Sequence, residues 1–430
     1  MSPEIIGIIG ILIMLILMLC RMWIGLAMAV VGFAGYAYLA GIGPAFAVAG
    51  TVPYKYIAYY NFAAIPLFIL MGAVLYHSGI ASDLFYSAYK WIGHLPGGLA
   101  IASAIVAAIL GVVTDSLIAV TTLGKAAVPE MKKYHYSESL STSSIIGGAS
   151  LASLVPPSVS FILYGILTEQ SIGKLFIAAI IPSVLLTFLI VLYIYTYARI
   201  RPDLAPAGPK TRFQEKVLSL KYTWAMLFII IVIIAGIYAG IFTPTEAGGI
   251  GAFGSFIIAG ACRKLSFKIL KDTFLETMQT TAMVVILVMG GYIFMKFLAV
   301  SRLTFSIGSF IEHLTISPYI VFVIIVILYL ILGMFTDIYA SIILTMPVIF
   351  PVIVALKFDP IWFGVVIVLV IEMGMMSPPV GINVFVLSGM TKIPVNVIFR
   401  GVWPFVVILL LFITILTFFP QIVLFLTATM

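Results

Sequence analysis

Charge is what this sequence has least of. Only 9% of its 430 residues are Asp, Glu, Lys or Arg, against 63% that are hydrophobic. That is too little polar surface to cover a water-soluble globule, so the chain reads as an integral membrane protein. Cysteine is nearly absent: Cys20 and Cys262 lie far apart with no Cys or His neighbour at metal-ligand spacing, and the four histidines are scattered. This excludes a disulfide framework and a zinc site. The lack of His-x-x-x-His or Cys–His spacing also argues against an intramembrane hydrolase, which needs a nucleophile with a base or metal. No polar stripe runs unbroken along several helices, as a passive channel would need. The first twenty residues lack a basic leading segment and a small-residue cleavage site, so they read as a first span and not as a removable signal. The net charge of +7 comes from basic residues clustered in short loops, which points to cytoplasmic anchoring and not to nucleic acid.

What is present is a succession of apolar runs of helix length, not the short alternating strands of a barrel. The predicted fold is an all-α polytopic membrane protein. Spans are expected at about 4–20, 23–42 and 56–79, then an interfacial helix in Ser82–Leu95, where Asp83, Lys90 and His94 alternate with aromatic rings. Residues at about 96–130 carry a polar break at Thr114-Asp115-Ser116, so each leg is too short to cross and a re-entrant hairpin is expected. The next span, about 139–166, is interrupted at Pro156-Pro157, where two N–H donors are missing. A span at about 174–197 leads into the linker-like loop from Arg199 to Lys221, which contains three prolines.

The second half repeats this plan. Gly111 and Gly333, Thr114 and Thr336, Asp115 and Asp337, Pro156 and Pro378, and Pro157 and Pro379 all lie 222 positions apart, as do Pro96 and Pro318, Pro129 and Pro351, and Pro182 and Pro404. Three leading spans are expected at about 224–242, 245–261 and 277–297 and an interfacial stretch at 302–316. A hairpin at about 318–356, a broken span at 361–389 and a last span at 401–427 complete it. The domains are therefore 1–208, a cytoplasmic linker at 209–222, and 223–430. The Arg199–Lys221 loop, the Arg263–Lys271 loop and Lys132–Lys133 should all face the cytoplasm. An odd number of crossings then separates the hairpins, which makes the halves inverted copies. Inverted repeats with interrupted helices at matching positions mark a secondary transporter with its site near the midplane.

Asp115 and Asp337 at the hairpin tips carry a desolvation cost of several kcal/mol, on the order expected for buried charge in lipid, unless something compensates it. A bound cation is one compensator; a carboxylate bonded to the hairpin backbone is another. Carbonyls freed at unwound segments can ligate Na⁺, and half-helix N-termini direct partial positive charge at an anion. Ser153, Ser158, Ser116, Ser341 and Ser377 add hydroxyls, and Asn383 adds an amide; a hydroxyl inside a helix more often bonds its own backbone. Lys125 and Glu372 also fall inside apolar segments; Lys125 can snorkel, whereas Glu372 is harder to place harmlessly. Thr243-Pro-Thr-Glu246 reads as a helix start with a capping box.

Leu154-Val-Pro-Pro-Ser158, Ser171-Ile-Gly-Lys-Leu-Phe176, Phe242-Thr-Pro-Thr-Glu-Ala247, Gly333-Met-Phe-Thr-Asp337 and Ser377-Pro-Pro-Val-Gly-Ile-Asn383 resemble the large membrane subunit of tripartite ATP-independent periplasmic (TRAP) transporters, DctM-like. The resemblance covers essentially the whole chain. It implies a multi-pass protein of the bacterial inner membrane, with elevator-type ion-transporter architecture, importing a small organic anion (carboxylate or sulfonate) with Na⁺ as the coupling ion. It implies no further cofactor, a separate small four-helix membrane subunit, a soluble periplasmic binding protein and membrane lipid as partners, and no enzyme activity. Na⁺ ligands are expected among Asp337, Thr336, Gly333, Pro156, Ser377, Pro378 and Gly381, and substrate contacts among Ser153, Ser158, Asn383 and Ser116. Asp115 and Thr114 join the Na⁺ set as an addition, since many relatives have a small Ser/Gly-rich first tip. The alternative is a stand-alone Na⁺- or H⁺-coupled dicarboxylate carrier of similar inverted design.

Overall fold

The computed structural model describes residues 2–208, 211–221, 223–313 and 317–429. The first half contains α1 (Pro3–Leu19), α2 (Ile24–Ala40), α3 (Ile42–Ile57), α4 (Ala64–His77), α5 (Ile80–Ile92), α6 (Gly98–Val113), α7 (Ser116–Lys133), α8 (Glu138–Ala149), α9 (Val159–Thr168) and α10 (Ile172–Ile200). After α11 (Phe213–Leu220), the second half contains α12 (Trp224–Tyr238), α13 (Pro244–Ala261), α14 (Phe267–Val300), α15 (Leu303–His313), α16 (Pro318–Phe335), α17 (Ile338–Ala355), α18 (Pro360–Met376), α19 (Ile382–Thr391), α20 (Val395–Phe418) and α21 (Gln421–Leu424). No strand occurs among the described residues, and six helices there are long and apolar enough to cross a membrane.

The offset of 222 carries into the backbone. The second hairpin leg runs from Ser116 to Lys133 in one half and from Ile338 to Ala355 in the other, and the half-helices α9 and α19 start at Val159 and Ile382, one residue off that spacing. The capping box at α13 is also present, with Thr243 and Glu246 exchanging hydrogen bonds.

One expectation needs correcting. Residues 42–57, left outside any span, form helix α3 in spite of Pro53; a 3₁₀ turn at Tyr60–Ala63 separates it from α4. Its counterpart is the first part of α14, which runs unbroken for 34 residues. The described part of the 209–222 linker contains α11, which docks on α5. Lys90 pairs with Glu215 at 2.9 Å, the Trp91 indole N–H donates to the Lys216 carbonyl at 3.0 Å, and Ser87 donates to the Ser219 carbonyl at 2.7 Å.

The basic loops meet on this same side. Tyr134, after α7, hydrogen-bonds Tyr89 of α5 at 2.7 Å, and Lys264, after α13, pairs with Asp83 of α5. The base of the first hairpin lies there too: the Gly97 N–H donates to Ala205 O at 3.2 Å, and Gly97 abuts Ala198 at the end of α10. The base of the second hairpin lies elsewhere. Phe322, Phe358 and Trp362 pack there ring on ring, and the Tyr164 hydroxyl of α9 donates to the Pro360 carbonyl at 2.6 Å. Because α9 leads directly into the start of α10, and α10 has 29 residues, the two hairpin bases are separated by about 40 Å at 1.5 Å per residue. Ser183, near the middle of α10, donates to Leu154 O in the first helix break at 3.3 Å, which sets that break midway between the two faces.

Behind the hairpins α2 and α14 cross at small residues. A Cβ on Gly290 would fall 1.9 Å from the Gly25 carbonyl oxygen, and one on Gly32 would fall 2.7 Å from the Phe294 Cα. Such close backbone approach suits packing in lipid, where burial of apolar surface supplies no driving force between helices.

Candidate functional site

At both hairpin tips the threonine ends its own helix: Thr114 Oγ1 donates to Leu110 O and Thr336 Oγ1 to Leu332 O, each at 2.8 Å. The aspartates that follow occupy the same N-cap position with different duties. Asp337 caps α17, accepting the Ala340 N–H at 2.9 Å, while Ser341 donates to its carbonyl at 2.9 Å and contacts Thr336 Oγ1 at 2.7 Å. Asp115 makes no cap bond. Its Oδ1 is buried without a hydrogen-bond partner, and so is the hydroxyl of Ser116.

The breaks span 150–158 and 377–381. Pro156-Pro157 and Pro378-Pro379 are both cis. Gly381 sits at φ +60 and opens α19, a left-handed conformation that glycine adopts without a Cβ penalty. Ser377 donates to Met373 O at 2.6 Å, so its hydroxyl is held by its own helix. Ser153 in the first break instead reaches across to the second repeat, donating to Glu372 Oε1 at 2.5 Å. Asn383 is fully buried, with neither side-chain atom hydrogen-bonded. A glycine seats the first tip on its break and the second tip on the end of α18, ahead of its break. A Cβ on Gly111 would lie 1.8 Å from the Ala152 Cβ, and one on Gly333 would lie 2.6 Å from Ile371 O and 3.2 Å from the Gly374 Cα.

Two cavities flank α14. One, of about 220 Å³, is bounded by Thr114, Asp115, Ser153 and Ser158 on the hairpin side and by Glu276 and Thr280 of α14. The other, of about 580 Å³, is bounded by Asp337 and Ala340 with Trp23, Gly25 and Gln279. Thus α14 turns one face to each aspartate. Gly333, Thr336, Pro156, Ser116, Ser377, Pro378, Gly381 and Asn383 line neither cavity; they shape the tips and breaks around it. Sequence reasoning missed Glu276, which pairs with His77 of α4 at 2.5 Å, because it fell one residue outside the apolar run taken as a span. Tyr339, which lines the first cavity, was missed for a different reason: an aromatic inside an apolar run gives no polar signal.

A profile of the family described as tripartite ATP-independent periplasmic transporter, DctM component, matches residues 11–422. The chain belongs to this DctM family. Its relatives include the C4-dicarboxylate TRAP transporter large permease protein DctM of Pseudomonas aeruginosa, 32% identical over 366 residues, with 85% of each chain covered. The ectoine/5-hydroxyectoine TRAP transporter large permease protein UehC of Ruegeria pomeroyi is 34% identical, with 84% of this chain and 85% of that one covered. Among solved structures, the YdaH transporter of Alcanivorax borkumensis superposes with a TM-score of 0.61 at 15% identity, over 87% of this chain and 88% of that one; this likeness shows the fold. The DctM-family chain is therefore a multi-pass inner-membrane TRAP permease, a transporter component and not an enzyme.

Proposed function

We propose that this DctM-family chain imports a small organic acid anion, carboxylate or sulfonate, with Na⁺ entry as the driving force, by elevator movement of a core against a scaffold. The core is α6–α9 with α16–α19 and the scaffold is α1–α4 with α12–α14. The observation that carries this reading is the first cavity, which has Asp115, Ser153 and Ser158 of the hairpin and break on one wall and Glu276 and Thr280 of α14 on the other. A ligand there would be held between the two bodies that must slide. The N-terminal end of α9, at Ser158 and Val159, borders the same space and directs partial positive charge at an anion without a Lys or Arg. We also take 1–208 and 223–430 as inverted repeats joined by the linker at 209–222; the separation of the two hairpin bases along α10 supports this.

The partners proposed are a small four-helix membrane subunit and a soluble periplasmic binding protein, in line with the TRAP large-permease names of its relatives. In proteoliposomes containing both membrane subunits, with the binding protein and substrate outside, accumulation should require an inward Na⁺ gradient. Replacing Na⁺ by choline should reduce initial uptake at least tenfold. Uptake indifferent to that replacement would remove the coupling. A chain that transports with neither partner present would point instead to the stand-alone dicarboxylate carrier.

A further inference from the structure

The first cavity has a charge pattern at odds with a simple anion. Asp115 and Glu276 line it, and no Lys, Arg or His among the described residues does. Its donors and acceptors also divide between the two walls. On the hairpin side Ser158 is buried, at 5% exposure, and begins α9 without using its hydroxyl as a cap. Together with the N–H groups in the first turn of α9, which have no partner inside the helix, it makes a place for a negative group. Thr114 and Ser153 already donate their hydroxyl protons to Leu110 O and Glu372 Oε1, so both show the cavity lone pairs only. On the opposite wall stands Glu276 of α14. Its Oε2 is held by His77 Nε2 at 2.5 Å, and His77 lies behind it, outside the lining. An ionised carboxylate only accepts, so His77 is the donor in that pair whatever its own charge. Oε1 is left over, and it is an acceptor too.

An organic acid seated at the start of α9 would therefore meet a carboxylate across the same space, in a cavity of about 220 Å³. Like charges that face each other away from bulk water disfavour binding strongly. A second acidic group on the substrate would add to that repulsion, and an apolar far end would leave the Glu276 oxygen without a donor. A far end that carries a positive nitrogen answers both. We propose that the substrate is zwitterionic: its carboxylate or sulfonate rests at Ser158 and the start of α9, and a cationic nitrogen of the same molecule donates to Glu276. Thr280, one turn further along α14, borders the same space and offers its hydroxyl oxygen to a second N–H. Glu276 is thus the residue that sets specificity, because it rejects dicarboxylates. The inference rests on the reading of this cavity as the substrate site, and it narrows organic acids in general to those with a cation of their own.

The test is binding to the purified, detergent-solubilised chain in NaCl, read as the thermal unfolding midpoint against the concentration of each acid. Pairs with the same run of methylenes between their ends are compared: β-alanine with succinate, γ-aminobutyrate with glutarate, and taurine with sulfopropionate. In wild type at least one ammonium acid should shift the midpoint saturably, at a half-saturating concentration roughly tenfold below that of its carboxylate partner. Carboxylate partners that bind as well or better overturn the inference while sparing the cavity as the substrate site. Silence from every acid tested overturns the inference and counts against that site too. Glu276→Gln keeps a side chain able to bond His77 and removes the charge. It should erase the preference, with the ammonium acids weakened roughly tenfold and the carboxylate partners unchanged or tighter. Equal loss of both, as expected if Glu276 serves only to join α14 to α4, overturns the inference, and so does an unchanged preference. If Glu276→Gln is not recovered folded, Thr280→Lys takes its place. The ammonium it brings beside Glu276 should turn the preference towards the carboxylate partners, and a preference left as in wild type overturns the inference.

Discussion

Asp337→Asn should leave a folded protein whose transport no longer saturates at ordinary Na⁺ concentrations. The side chain caps α17 through one bond from the Ala340 N–H; asparagine is an equally good N-cap, so the helix start survives the exchange. What is lost is the negative charge beside the second cavity. A ligand bond to a charged group is worth about 1.5–3 kcal/mol, and about 1.4 kcal/mol is a factor of ten in an equilibrium constant. The half-saturating Na⁺ for uptake should therefore rise by roughly ten- to a hundredfold. The check is initial uptake against Na⁺ in proteoliposomes, with protein recovery and melting followed in parallel. An Asn variant with the wild-type Na⁺ dependence would mean that Asp337 is a cap and nothing more.

Gly111→Val should have the largest effect on folding. The first atom of any side chain at this position falls on the Ala152 Cβ and 2.2 Å from its Cα. These atoms belong to the break itself and no flexible side chain can swing aside to make room. Overpacking of this kind costs about 1–3 kcal/mol even where the surroundings relax, and here relief requires the hairpin to leave its seat. The expected outcome is a large loss of monodisperse protein on size exclusion and no uptake from what remains. Gly333→Val should be damaging in the same way, because its nearest neighbour is the backbone oxygen of Ile371. Gly389, with nothing within 4 Å of an added Cβ, is the control: Gly389→Ala lies inside α19 and should be tolerated or stabilising by up to about 1 kcal/mol. Equal tolerance at Gly111 and Gly389 would show that the hairpin is not seated on the break.

The hairpins and breaks were legible because their signals are covalent: a proline has no N–H wherever it is placed, and a Thr-Asp pair in an apolar run stands out at any register. Repetition at 222 turned those local signals into an architecture. Helix α3 was not legible, since Gly43, Pro44, Gly50, Thr51, Pro53 and Lys55 dilute its apolar content below that of a span. Extending the offset to 264–279 would have revealed it, because that charged stretch opens α14. The site itself was only partly legible. Asp115, Thr114, Ser153 and Ser158 do border one cavity, yet nothing in the sequence joins Ser153 to Glu372, which lies 219 positions away. Nor does the sequence show that Asp337 and Asp115, equivalent by position, differ in that one is committed to a helix cap and the other is not. Those distinctions arise from tertiary packing, which composition and spacing do not encode.

The proposed transport mechanism requires the two hairpins to enter the membrane from opposite sides, and site-directed labelling measures it. With Cys20 and Cys262, both exposed, replaced by serine, single cysteines are introduced as Lys132→Cys at the base of the first hairpin and Ser317→Cys at the base of the second, both exposed positions. A membrane-impermeant maleimide is then applied to right-side-out and inside-out vesicles. Lys132→Cys should react only from the cytoplasmic side and Ser317→Cys only from the periplasmic side; reaction of both from one side would contradict the inverted arrangement and the transport mechanism built on it.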